Sequence, residues 1–121
     1  MNKEKAVLFL QLVAAGNVRE AYDKYIGPDF RHHNPYFPGD AESLLIAMEE
    51  SAAQNPHKTL EVKRAVEEND IVAVHSHVKQ NEEDLGGAVV HIFRFHNSMI
   101  AELWDVGQAV PEDSPNENGV F

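Results

Sequence analysis

The sequence predicts an α+β domain in which three N-terminal helices cover one face of a curved antiparallel sheet of about four strands. Three observations carry this. Apolar residues recur at helical spacing as far as Gln54, they switch to a period of two from Thr59 onward, and turn residues separate the runs at intervals that suit short elements. A length of 121 residues allows one domain spanning 1–121 with one core, and 43% hydrophobic against 25% charged residues is an ordinary globular balance.

The first helix rests on Val7, Leu8, Leu10, Leu12 and Val13, with Gly16-Asn17 as its stop. A second helix starts there. Asn17 and Glu20 have capping-box spacing, and Val18, Ala21, Tyr22, Tyr25 and Ile26 share a face until Gly27-Pro28 ends it. The stretch DFRHHNPYFPGD reads as a loop or short extended segment, and Asp40 caps a third helix striped by Ala41, Leu44, Leu45, Met48 and Ala52. Asn55-Pro56 closes that helix.

Thr59 to Val66 alternates Leu60, Val62, Arg64 and Val66 against Thr59, Glu61, Lys63 and Ala65, a strand with one drier face. Glu68-Asn69-Asp70 turns the chain into a strand from Ile71 to Lys79, and NEEDLGG leads into a hairpin of AVVHIFRFH and MIAELWDVG joined at Asn97-Ser98. The ending AVPEDSPNENGVF has the composition of a tail, but its terminal Val-Phe favours folding back onto the body.

The charge balance of 10 basic against 20 acidic residues, net −10, makes nucleic acid and anionic membranes poor partners. Without cysteine there is no disulfide framework, thiolate metal site or cysteine nucleophile, which fits the cytoplasm. The N-terminal apolar run is short and broken by Gln11, so it reads as a helix and neither as an export signal nor as a membrane span.

Asp105 is the residue that asks for an explanation, because it follows the only Trp near the end of a mostly apolar strand. The plainer account is an edge carboxylate bonded to a helix terminus or an Arg. The sharper one is a general acid/base in an apolar pocket, where loss of hydration lets a carboxyl group carry a proton near neutrality.

The order helix, helix, His33-Asn34-Pro35 loop, helix, then DIVAVHSHV, GGAVVHIFRF and the ending MIAELWDVGQAVPEDSPNENGVF resembles the SnoaL-like branch of the nuclear-transport-factor-2-like superfamily. The resemblance covers nearly the whole chain, most specifically His33-Asn34-Pro35, Trp104-Asp105 and the Pro-rich ending at Phe121. It implies a cone-shaped α+β barrel with a deep apolar pocket, dimerising as a homodimer through the outer sheet face. Polyketide cyclases of this branch perform an intramolecular aldol condensation without metal or cofactor, using an Asp with a His nearby. Asp105 matches that Asp, and His91 matches the His.

A regular hairpin about Asn97-Ser98 sets Val90 opposite Asp105 and His91 opposite Trp104, placing Asp105 and His91 on different faces. A β-bulge would bring both inward, so Asp105 stands ahead of His91. His33 is a further proton carrier or carbonyl donor, or else a loop histidine bonded to backbone. Trp104, Asn34, Tyr36 and Phe37 are the candidate substrate contacts, Trp104 as pocket wall or core, and His32 reads as a rim residue. His75 and His77 share the face opposite Val72, Val74 and Val78, pointing outward. They could alternatively join His33 or His91 in a metal site.

Three function classes follow. The first is a cofactor-free enzyme acting on a small, mostly apolar carbonyl compound by aldol cyclisation, isomerisation or dehydration. The second is a non-catalytic module that holds a hydrophobic ligand, and the last is a histidine-cluster metalloenzyme.

Overall fold

Helices α1 (Asn2–Ala14), α2 (Val18–Tyr25) and α3 (Ala41–Gln54) lie on one face of a sheet of five strands, β1 (Ile26–His32), β2 (Thr59–Glu68), β3 (Ile71–Lys79), β4 (Gly87–His96) and β5 (Met99–Ala109). The computed structural model describes all 121 residues. Strand order is β1-β5-β4-β3-β2, antiparallel except for β1 beside β5. The sheet is bent by bulges and stays open, with β1 and β2 as its edges.

The fifth strand realises the extended alternative for the DFRHHNPYFPGD stretch and starts earlier than expected, at Ile26. Gly27-Pro28 reads as a helix stop, yet Ile26 is already extended and pairs with Ile100, and Arg31 and His32 pair with Glu102 and Leu103. Proline is tolerated because β1 is an edge strand with one ladder side free.

Local chemistry explains the helix ends. Gly16, at φ +90°, closes α1 as the Gly16 N–H donates to the Val13 carbonyl and the Asn17 N–H to the Leu12 carbonyl, a Schellman pattern. The Asp40 side chain caps α3 by accepting from the Ser43 N–H at 2.8 Å. The expected Asn17 cap is absent, since its side chain makes no such bond and only its carbonyl serves the helix.

Phe9 of α1 is the hub of the core. Its ring meets Tyr22 and Phe93 at 5.9 Å each, the Phe93 contact edge-on, and all three rings are buried. Burying each aromatic contributes about 2–3 kcal/mol. Phe30, Val72, Val74, Phe95, Ile100 and Leu103 supply the rest of the sheet's buried contribution to this core.

Two bulges break the simple alternation. In β2 the register shifts between Val62 and Arg64, so Leu60 and Val62 face the helices before it and Ala65 after it. Val66, expected on the dry face, is 61% exposed for that reason. In β5 the register shifts between the Phe95–Ile100 and Arg94–Glu102 pairs, leaving Ala101 as the extra residue.

The C-terminus does fold back. The Phe121 ring packs on the outer sheet face at 4.6 Å from the His77 ring and 5.7 Å from that of His75, and Lys63 Nζ lies 5.0 Å from its centroid. No helix is long and apolar enough to cross a membrane.

Candidate functional site

A cavity of about 300 Å³ lies between α1, α3 and the inner face of the sheet. Twelve of its 17 lining residues are hydrophobic, so the polar groups are few: Asn34, Ser51, Lys58, His91 and Asp105. Such sparse polar groups in an apolar wall fix orientation in small-molecule sites.

The Ala101 bulge places the two titratable groups together. Asn97 and Ser98, at φ +51° and +65°, form the two-residue hairpin turn, and His96 pairs with Met99. Beyond Ala101 the count moves by one, so His91 rather than Val90 stands opposite Asp105 and both line the cavity. Directly opposed residues of this kind hold their Cβ atoms roughly 5 Å apart.

Asp105 is oriented from the β1 side. Asn34 Nδ2 donates to Asp105 Oδ2 at 3.1 Å, while Asn34 Oδ1 accepts from the Tyr36 N–H at 3.0 Å. The second bond fixes which end of the Asn34 amide meets the carboxylate. His32 in turn fixes Asn34: its Nδ1 accepts from the Asn34 N–H at 3.1 Å and its Nε2 donates to the Pro38 carbonyl at 2.7 Å. His32 is thus a buried loop anchor and not the rim residue expected.

His91 sits in a dry setting. Loss of hydration pushes its imidazole down to about 4, with the nearby Asp105 carboxylate pulling the other way. Its Nδ1 is buried without a hydrogen-bond partner. The other such atom is Ser76 Oγ, and Ser76 pairs with Val89 one step along the same face. Orphaned polar atoms are rare in native interiors, and each calls for a physical reason.

The remaining sequence candidates divide by face. Phe37 lines the cavity and is partly exposed at its edge. Tyr36, 85% exposed, contacts nothing there. His33 and Trp104 lie on the opposite side of the sheet, stacked at 4.9 Å and 5°. His33 Nε2 is hydrogen-bonded to Glu102, which also accepts from Arg94 Nε at 3.0 Å. That His33 bond, followed by the Arg94 bond and the charge of Arg31, holds the Glu102 carboxyl below the usual carboxylate range. The physical reason is the bulge again: it turns Asp105 inward and therefore Trp104 and Glu102 outward.

His75 and His77 face outward as expected. His75 Nδ1 accepts from Arg64 Nη1 at 2.6 Å, and His77 Nε2 donates to the Leu85 carbonyl at 2.8 Å. His91 pairs with Val74 and so points to the other face, and no three metal-ligating side chains gather anywhere. The histidine-cluster metal site is not assembled.

Lys58 was missed by sequence reasoning. It carries no motif, and only its place at the end of α3 brings it to the cavity, where Nζ donates to Ser51 Oγ at 2.8 Å.

A family profile described as SnoaL-like domain matches residues 6–103. Solved structures share the fold. A candidate polyketide cyclase from Acidithiobacillus ferrooxidans is 21% identical, with a TM-score of 0.74, over 88% of this chain and 87% of that one. An NTF2-like protein of unknown function from Cytophaga hutchinsonii is 16% identical, with a TM-score of 0.72, over 89% and 90%. AclR, a candidate hydroxylase from Streptomyces galilaeus, is 26% identical, with a TM-score of 0.68, over 88% and 79%. Among curated proteins none matches.

Proposed function

This chain belongs to the SnoaL-like domain family, and we propose that it is a cofactor-free enzyme acting on a small, largely apolar carbonyl compound through Asp105 and His91. The observation that carries the reading is their direct opposition on an otherwise apolar cavity wall. Likeness to a candidate polyketide cyclase supports the substrate class.

Asn34 occupies Asp105 Oδ2 and leaves Oδ1 without a protein partner. In the proposed step Oδ1 takes a proton from the carbon beside the substrate carbonyl. The C–H electrons become the C=C bond of an enolate, and the carbonyl oxygen takes the charge. His91, neutral at pH 7 because burial holds it near 4, donates its N–H to that oxygen and does not act as an imidazolium. Asp105 then returns the proton to carbon, giving isomerisation, or to an alkoxide, giving aldol closure. Proton transfer is all this needs, so no metal or cofactor is called for. His33, on the far face, takes no part.

The Asn34–Asp105 bond is also one a purely structural carboxylate would make. It favours a second reading, a module that holds an apolar ligand without turnover. Exchange of α-protons for deuterium in 1-tetralone, followed by NMR, separates the two. Wild type should accelerate exchange and Asp105→Asn should lose on the order of 10²-fold or more; binding without any accelerated exchange establishes the module instead.

We also infer that two copies pair through the outer sheet face, where Val66 and Val106 are 61% and 63% exposed. Sedimentation equilibrium checks this, with a monomer at micromolar concentration as the opposing result.

A further inference from the structure

We propose that Lys58 is a ligand-recognition residue of this cavity, selecting compounds that carry a carboxylate at the end remote from Asp105. The proposal rests on reading the cavity as a small-molecule site. Asp105 and Lys58 are the only charged side chains that line it.

The chain builds Lys58 into place. At the end of α3 the Asn55 N–H and Nδ2 both donate to the Ser51 carbonyl, at 2.9 and 3.0 Å, and the Lys58 N–H returns to the Asn55 carbonyl at 3.2 Å. Pro56 presets the turn between them. This tight closure sends the Lys58 stem back along the last turn of α3, where its ammonium reaches Ser51 Oγ.

Lys58 differs from the other cations of this chain in lining the apolar cavity; Lys3, Lys5, Arg64 and Lys79 also lack a carboxylate partner, but none of them lines it. Arg19, Lys24, Lys63 and Arg94 each have a carboxylate within 3.1 Å. Lys58 has none, and burial alone lowers its proton affinity with no acid opposing the effect. Acids are not scarce, at 20 for 10 bases. An ammonium withdrawn from water and left without a counter-charge is costly, and an anionic ligand group would restore what is missing.

Position completes the case. Asp105 is on β5 and Lys58 leads into β2, three strand positions away in the order β5-β4-β3-β2. At about 4.8 Å per step the two poles are roughly 14 Å apart at backbone level, less at the side-chain tips. Leu60, Val78 and Val89 line the span between them. A compact apolar body with its reacting carbonyl at one end and an anionic oxygen at the other matches that layout.

Calorimetric titration with 2-naphthoate and its neutral amide, 2-naphthamide, tests this. Wild type should bind the acid at least tenfold more tightly, although the net charge of the protein opposes anions. Lys58→Met should bring the two affinities within twofold and leave the amide unchanged. Lys58→Arg should keep the preference, and Lys58→Gln, which can still bond Ser51, should lose it and stands in if the Met variant does not fold. Asp105→Asn should keep it, since that carboxylate belongs to the other pole. A wild type with no preference for the acid, or a Met or Gln variant that retains it, overturns the role of Lys58 even where 1-tetralone exchange is intact. Failure of both probes to bind wild type overturns the cavity reading and this proposal together.

Discussion

Asp105 and His91 face each other across β5 and β4 because one residue, Ala101, is extra in the hairpin that joins them. Two consequences follow from that single insertion. The pair points into the cavity, and Trp104 and Glu102 point away from it. A strand has only two faces, so a shift of one residue exchanges every side chain beyond it.

Deleting Ala101 should straighten β5 and keep His91 opposite Asp105, because Phe95–Ile100 and Arg94–Glu102 then become adjacent pairs and every pair beyond them is unchanged. The pair should still face the cavity and 1-tetralone exchange should persist. Loss of exchange in a folded variant would show that the kink of the bulge, and not the pairing alone, positions the two groups.

His91 makes stability depend on pH in a defined window. Its folded value is near 4, below the ordinary value of about 6.5 for an unfolded chain. Between those values the unfolded state binds a proton that the folded state does not, so stability falls as pH drops from about 6.5 to 4. The full loss is about 3 kcal/mol, and above pH 6.5 the contribution is flat. His91→Phe should remove this part of the slope in urea titrations. Asp105→Asn should push the His91 value lower still, because the carboxylate that favours the imidazolium is gone; histidine NMR titration reads this directly.

Asn34 holds the carboxylate through one charge-assisted bond. Asn34→Ala should slow 1-tetralone exchange by about tenfold, in line with roughly 1.5 kcal/mol for such a bond, while leaving probe binding within twofold. Asn34→Asp should be worse, since it sets like charges side by side. Exchange rates at saturating ketone separate these outcomes from a binding defect.

His33→Ala should leave exchange unchanged within twofold. His33 is half-exposed and Glu102 keeps its bond from Arg94, so losing the His33–Glu102 hydrogen bond costs little, about 1 kcal/mol. The visible effect should be a shift in Trp104 fluorescence as the stacked ring is lost.

Much of the fold was legible because it rests on periodicity. The stripe of α3 with its Asp40 cap, the glycine stop of α1 and the Asn97-Ser98 turn each follow from local chemistry. What was hidden depends on partners far along the chain. The start of β1 is hidden because Gly27-Pro28 has no strand signal of its own and is held by β5, while the stretch after it reads as loop or extended segment. Neither bulge changes the residue types around it, so Val66 and Trp104 looked as though they belonged to the dry face and the pocket. The site shows the same division. Asp105 stood out by residue type in its strand and His91 through the family resemblance, whereas Lys58 and the His32-to-Asn34 relay exist only once α3, β1 and β5 are brought together.

The most direct test of the central claim, that Asp105 and His91 act as one unit, is a double-mutant comparison of 1-tetralone exchange in wild type, Asp105→Asn, His91→Phe and the combined variant. A combined variant no slower than Asp105→Asn alone, with His91→Phe slowed on its own by tenfold or more, is the expected result. Losses that simply multiply, or an Asp105→Asn enzyme that exchanges at the wild-type rate, would contradict it.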